Sequence, residues 1–316
     1  MALSKSSATS KVPLTKTSKN EPGAAWSYAG TTDVGRTRAH NEDCIAVKED
    51  LQLVVLADGM GGYQAGEVAS KIAVDVVIDE ITDSKLTEKD IARIDPDVGV
   101  SVAMRRLRSA IEKANNRICS VQREREELDG MGTTIVAACF YDGRVGIAHV
   151  GDSRCYRLRE GKLEQLTRDH SLVQDQLEKG LISADEAAHS PQKNLITRAL
   201  GIDALAEADT HEFRTRAGDM YLLCSDGLSD MVDNSDIHKE LVSNRSTKDM
   251  VARLVAAANE AGGRDNISVI IVRVGDPVEP DMWWKKFLQK PAPGAAVLAK
   301  APAKPPVKPP AKPPGK

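Results

Sequence analysis

Strand-like and helix-like stretches occur in separate blocks along this chain, and their order limits the fold more than any other feature. The apolar run LQLVVLAD (51–58) is typical of a strand, whereas residues 65–81 space their apolar side chains as a helix does. A second stripe, from Met104 to Leu128, predicts a longer helix, and Asp142-Gly143 predicts a hairpin turn between β-branched runs. Hairpin-joined strands with helices inserted as blocks favour an α+β fold of stacked antiparallel sheets covered by helices.

The second half of the body continues this arrangement. A turn at EGK (160–162) follows the hairpin and leads into the strand-like LEQLT, and a polar helical stretch is predicted near 171–189. Two further strands, within 219–227 and 266–274, are separated by a helix near 247–261.

The two ends of the chain differ in composition from the body. Residues 1–24 are rich in Ser, Thr and Lys, which predicts a flexible basic leader. Residues 278–316 contain the aromatic-basic stretch DMWWKKFLQK (281–290) and then a Pro/Ala/Lys-rich tail, which we expect to be disordered and extended. The aromatic stretch fits either a short helix packed on the body or a segment that docks weakly on a membrane surface or a protein. Residues 25–277 are predicted to form one domain.

Charge and cysteine content exclude several classes of protein. The chain carries −3 overall, but residues 1–20 carry +4 and residues 281–316 carry +7, which leaves −14 for residues 21–280. An acidic body argues against nucleic-acid binding and suits a protein that collects divalent cations, and the lysines of the ends would attract nucleic acid only weakly. Because the five cysteines are an odd set without C-x-x-C spacing, we expect no disulfide framework or zinc site and a cytoplasmic location.

Three aspartates stand at the ends of predicted strands. Asp58 and Asp226 each follow an apolar run and precede a glycine, and Asp265 directly precedes another run. Such positions place carboxylates at the rim of a sheet, where glycine lets the backbone approach a ligand. Together with Glu42-Asp43 they indicate an all-oxygen site for Mg²⁺ or Mn²⁺. Ordinary turns and helix caps remain an alternative explanation from spacing alone.

Eight stretches, in order, resemble the metal-dependent protein phosphatases of type 2C, specifically the bacterial serine/threonine branch. They are TDVGRTRAHNEDC (32–44), LADGMGGYQAGEVAS (56–70), DGMGTTIVAA (129–138), AHVGDSRCYRL (148–158), LTRDHS (166–171), ITRALG (196–201), LLCSDGLSDMV (222–232) and GRDNISVIIV (263–272). The resemblance implies a four-layer α-β-β-α sandwich of two antiparallel sheets flanked by helices. It also implies hydrolysis of phosphoserine and phosphothreonine on proteins by a water molecule activated between two Mn²⁺ or Mg²⁺ ions, opposing a cognate kinase.

The same resemblance assigns roles to individual residues. Asp58 would bridge both ions, the Gly59 carbonyl would contact one, and Asp226 and Asp265 would complete the shell of one ion. Asp43, and less directly Glu42, would serve the other ion, and Arg38 would grip the substrate phosphate.

A third ion is left open by the resemblance. Its ligands would be Asp129, Asp226 and, less firmly, Asp230, while Asp152 is interpreted as a turn residue. The family also implies a mobile flap at residues 171–195. Met60 stands where some relatives have a histidine that is proposed as the general acid, so the donor of the leaving-group proton stays unassigned. A catalytically weak binding module of the same fold is the competing interpretation.

Overall fold

Two antiparallel sheets are present in the computed structural model, which describes residues 26–62, 65–82, 90, 92–95, 99–188 and 190–275. The strands are β1 Ser27–Asp33, β2 Asp43–Lys48, β3 Leu53–Met60, β4 Gly132–Thr133, β5 Ile135–Tyr141, β6 Arg144–Val150, β7 Arg154–Arg159, β8 Lys162–Gln165, β9 Asp209–Arg214, β10 Met220–Cys224 and β11 Ile267–Arg273. One sheet has the order β1-β11-β10-β7-β8, and the other has the order β2-β3-β5-β6-β9 with β4 paired to β3. The predicted leader (1–24) and terminal segment (278–316) lie outside the described residues.

Helices account for most of the remaining regular structure. They are α1 Ala65–Thr82, α2 Val102–Glu124, α3 Leu172–Glu178, α4 Ala184–Ala188, α5 Asp226–Ser229, α6 Asn234–Leu241 and α7 Thr247–Glu260. The long helix α2 begins at a serine cap, because the Ser101 side chain accepts a hydrogen bond from the Met104 amide at 3.2 Å. No helix in the described part of the chain combines the length and apolar character that crossing a membrane requires.

The sheets pack face to face, and strand β3 shows how. Val54 and Leu56 point into the layer between the sheets, where they join a cluster that includes Tyr221 and Ile270. The alternate residues of the same strand point to the other face, toward the helices. Both faces of β3 are therefore buried, which explains why its sequence is a continuous apolar run and does not alternate with polar residues.

Helices cover the outer face of each sheet. Helices α1 and α2 pack on the sheet that contains β3, and the predicted stripe, which includes Leu107, Ile111 and Ile118 of α2, is buried. Helices α6 and α7 cover the other sheet through residues such as Ile237 and Leu254. The predicted four-layer α-β-β-α sandwich is confirmed.

Local predictions succeeded where the pattern was strong. The 65–81 and 247–261 helices are present as α1 and α7, and Asp142-Gly143 forms a hairpin turn with positive φ at both residues. The helical stretch predicted near 171–189 is instead two short helices, α3 and α4, because the chain turns at Gly180 with φ +65°. Strand β9 and helix α6 were not predicted, since their sequences are mostly polar.

Candidate active site

Two of the predicted carboxylates face each other across a hairpin. In the antiparallel register of β2 and β3, Asp43 is the direct partner of Asp58. The Asp58 backbone is fixed by Thr134, whose side chain accepts a hydrogen bond from the Asp58 amide at 3.0 Å and whose own amide donates to the Asp58 carbonyl at 2.8 Å. Like charges placed opposite each other destabilise a sheet unless a counter-ion is present.

The opposite sheet supplies the other two carboxylates. Asp226 is the first residue of α5 and is separated from the end of β10 by Ser225 alone, and Asp265 lies in the loop that precedes β11. Ser225 joins the two sheets, because its hydroxyl donates to Asp43 Oδ2 at 3.0 Å and accepts from the Ser268 amide at 3.0 Å. Asp43, Asp58, Asp226 and Asp265 are close enough to interact electrostatically, so the four carboxylates converge, as the strand-end pattern predicted.

Mutual repulsion within this cluster is strong. Burial, followed by the charges of Asp43 and Asp226, raises the pKa of Asp58 well above its ordinary value. Burial and neighbouring carboxylates raise the pKa of Asp43 to about 7 and that of Asp226 to about 6. These aspartates need a positive partner if they are to be ionised together at neutral pH.

The donor atoms fit divalent cations of the Mg²⁺ and Mn²⁺ type. Asp43 Oδ1 and Asp226 Oδ1 are buried and have no hydrogen-bond partner among the described residues. Unpartnered buried oxygens are rare because they cost free energy, so they indicate a missing positive ligand. The surrounding donors are all oxygens, which suits hard cations and does not suit zinc.

Arg38, Glu42 and Gly59 border this cluster. Arg38 Nη2 donates to Asp265 Oδ2 at 2.7 Å, and half of its side chain is exposed. The Glu42 carbonyl accepts hydrogen bonds from the Gly59 amide at 3.1 Å and from the Ser70 hydroxyl at 2.6 Å. Position 59 requires glycine, because a Cβ there would lie 2.1 Å from the Gly66 carbonyl oxygen.

Asn266 organises the loop that carries Arg38 and Glu42, and no sequence pattern marks it as a site residue. Its side-chain amide donates to the carbonyls of Val34 at 3.0 Å and His40 at 2.9 Å, and its Oδ1 accepts from the Glu42 amide at 2.8 Å. The residue that follows Asp265 thus fixes the opposite wall of the same site.

Beside the four carboxylates lies a cavity of about 300 Å³. Asp152, Asp226 and Asp230 line it, together with Lys193, whereas Asp129 is not among its lining residues. Asp129 is exposed after a 3₁₀ turn that ends at Leu128.

Asp152 is the residue that the sequence interpretation left out. It is buried, and burial and the charge of Asp226 raise its pKa to about 8. Strand β6 ends at Val150, so Asp152 follows a strand and a glycine in much the same setting as the aspartates that were selected. The strand-end criterion would therefore have identified it.

His170 is completely buried and is not among the residues that line this cavity. Its Nδ1 accepts a hydrogen bond from the Gly151 amide at 3.1 Å, and its Nε2 lies 3.2 Å from Asp209 Oδ2. Neutral His170 must then carry its proton on Nε2, which cannot ligate a metal in that form. His149, His170 and Asp209 are close enough to hold an ion, and His149 Nδ1 and His170 Nε2 have no hydrogen-bond partner among the described residues. Because the protonated Nε2 of His170 lies beside the Asp209 carboxylate, we interpret the cluster as structural. Arg198 pairs with the same Asp209 at 2.9 Å.

This geometry agrees with the comparison of the chain with known families. Residues 34–269 match a family model described as protein phosphatase 2C. The chain belongs to the protein phosphatase 2C family. It is 41% identical over 246 residues to the serine/threonine phosphatase stp of Listeria welshimeri, and the aligned region covers 76% of this chain and 93% of that protein. It is 38% identical over 249 residues to the serine/threonine protein phosphatase PstP of Mycobacterium tuberculosis, covering 79% of this chain and 45% of that protein.

Solved protein phosphatase 2C structures share the fold. The Mycobacterium tuberculosis phosphatase PstP/Ppp superimposes with a TM-score of 0.70 at 37% identity, covering 79% of this chain and 98% of that chain. The catalytic domain of PstP in complex with two manganese ions superimposes with a TM-score of 0.69 at 36% identity, covering 79% of this chain and 99% of that chain.

Proposed function

We propose that this protein hydrolyses phosphoserine and phosphothreonine monoesters on proteins with the help of a pair of Mn²⁺ or Mg²⁺ ions. The observation that carries the proposal is the convergence of four carboxylates from two sheets, two of which keep unpartnered buried oxygens. Family membership and the names of the relatives, which are serine/threonine phosphatases, support the same reaction.

Different carboxylates are proposed to bind each of the two ions. Asp58 and the Gly59 carbonyl would hold the ion pair, with Asp226 and Asp265 serving one ion and Asp43 the other. Glu42 would contribute only indirectly, through water. When bound, two such ions lower the pKa of a water molecule and neutralise the phosphate oxygens. The chain needs no covalent nucleophile, and its five cysteines are free and lack the C-x5-R pattern of cysteine phosphatases.

Arg38 is proposed to bind the phosphate. Its side chain is half exposed, and its guanidinium forms a salt bridge with Asp265. Once Asp265 is taken up in cation binding, the guanidinium is free to neutralise two phosphoryl oxygens in a bidentate contact.

A third cation is proposed beside Asp226. Asp230 lies four residues further along, and its amide donates to the Asp226 carbonyl at 2.8 Å. Asp152 lines the same cavity and is a better third ligand than Asp129, which is exposed and outside it.

The remaining expectations concern the rest of the chain. We expect a cytoplasmic protein whose phosphorylated substrates are supplied by a cognate serine/threonine kinase, with no nucleic-acid partner. The catalytic domain is proposed to span residues 25–277, between the basic leader and the terminal segment that serves as a tether.

The central test is metal-dependent hydrolysis by the full-length chain. After EDTA treatment, p-nitrophenyl phosphate and a phosphothreonine peptide should be hydrolysed only when Mn²⁺ or Mg²⁺ is restored. The double variant Asp58→Asn/Asp226→Asn should be inactive, whereas the exposed control Asp79→Asn on α1 should be unaffected. Full activity of the double variant would refute the mechanism. Failure to bind a pair of ions in calorimetry would favour the binding module instead.

A further inference from the structure

Basic side chains partner the two outer carboxylates of the site. Arg38 Nη2 lies 2.7 Å from Asp265 Oδ2, and Lys193 Nζ lies 2.5 Å from Asp230 Oδ2. The inner carboxylates differ, because Asp43 and Asp226 each keep an oxygen without a hydrogen-bond partner in the described part of the chain. Arginine and lysine side chains thus neutralise the two outer carboxylates, whereas the inner carboxylates have no such partner among the described residues and can bind metal cations.

Lys193 reaches the site from a different part of the chain than Asp230. Lys193 follows α4, near the end of the segment formed by residues 171–195, whereas Asp230 caps the short helix that begins with Asp226. Lys193 lines the 300 Å³ cavity and also a smaller one of about 100 Å³ that includes Asp226 and Asp265. Its side chain is 38% exposed and that of Asp230 is 24% exposed, so neither group is fully hydrated.

An ammonium group and a divalent cation compete for one carboxylate. The two positive charges would repel each other, and at about 5 Å in a solvated site this repulsion weakens binding of the divalent ion by about tenfold. The ammonium is tethered and therefore always present at high local concentration. A third ion therefore binds at Asp230 more tightly when Lys193 has moved away.

We propose that Lys193 is the resident counter-ion of Asp230 and determines whether the site holds two or three divalent cations. This inference rests on the proposed function, since it concerns the third cation of that same site. It also links cation occupancy to residues 190–195, because displacing the ammonium releases the contact that holds this segment to α5.

Calorimetry with Mn²⁺ on the EDTA-treated full-length protein is the first test. In Lys193→Met the weak additional ion should bind about tenfold more tightly than in the wild type, while the two tight ions are unchanged. Lys193→Arg keeps the charge and should behave like the wild type. Lys179→Met, which replaces an exposed lysine of the same segment, is the matched control. Equal weak-ion affinity in Lys193→Met and the wild type, or no weak ion in either, would overturn the proposal.

Amine labelling of the wild-type protein tests the displacement directly. Mass spectrometry should show that reaction of Lys193 with an acylating reagent rises several-fold as Mn²⁺ is added beyond two equivalents, while labelling of Lys179 stays constant. Constant labelling of Lys193 would overturn the inference. Hydrolysis measured on the same samples separates the two proposals: loss of Mn²⁺-dependent hydrolysis counts against the proposed function, whereas normal hydrolysis with unresponsive Lys193 counts only against the counter-ion.

Discussion

Replacing Asp58 by asparagine should make the cation-free protein more stable and the cation-loaded protein inactive. Asp58 faces Asp43 across the hairpin, and its carboxyl is within hydrogen-bond reach of Asp226. Burial, followed by the charges of Asp43 and Asp226, raises the pKa of Asp58 well above its ordinary value, and each unit of such a rise corresponds to about 1.4 kcal/mol of stability lost when the group is ionised. An amide at position 58 removes one repelling charge and can donate a hydrogen bond to Asp226.

We expect Asp58→Asn to recover about 2 kcal/mol in EDTA at pH 7.5, which raises the Tm by roughly 4–8 °C for a domain of this size. Differential scanning calorimetry of the wild type and the variant, each with EDTA and with Mn²⁺, measures both states. The order should invert on adding Mn²⁺, because only the wild type binds the ion pair tightly. Asp79→Asn should show no such inversion. A variant that is less stable than the wild type in EDTA would refute the claim that the aspartates repel one another.

Three other outcomes are expected. In EDTA, the Tm should fall as the pH rises from about 4 to 8. The pKa values of Asp43 (about 7) and Asp226 (about 6) are raised in the folded state, so the stability that their bound protons contribute is lost as the pH rises through this range. Mn²⁺ should therefore stabilise the protein most at the upper end of the range. In Arg38→Met, KM for a phosphothreonine peptide should rise about tenfold while calorimetry still detects two tight ions, because one charge-assisted contact to phosphate is removed; an unchanged KM would contradict the phosphate role. Calorimetry should no longer detect the weak third ion in Asp152→Asn but should still detect it in Asp129→Asn. The reverse result would identify Asp129 as the ligand.

The sequence was most informative where one physical requirement dominated the residue pattern. Burial on one face of α2 and on both faces of β3 left clear apolar patterns, and both elements were predicted. The polar strand β9 was missed, because it is the edge strand of its sheet and carries little apolar signal.

The site divides in the same way. Asp58, Asp226 and Asp265 were found because strand ends place carboxylates at a sheet rim, and the structure brings them together. Asn266 could not have been found, since its importance lies in three backbone groups that only the folded loop brings to one side chain. Lys193 was hidden for a related reason, because it stands 37 residues from Asp230 in a segment without strong periodicity.

The register of the β2–β3 hairpin has a consequence for the lifetime of the protein. Strand β2 is the outermost strand of its sheet and begins with Asp43, directly opposite Asp58. Without divalent cations the two facing carboxylates are not neutralised, which weakens this hairpin, and proteases act on edges that open. Metal starvation should therefore lower the number of copies of this protein as well as its turnover rate, so that nutrient supply acts on dephosphorylation through protein degradation.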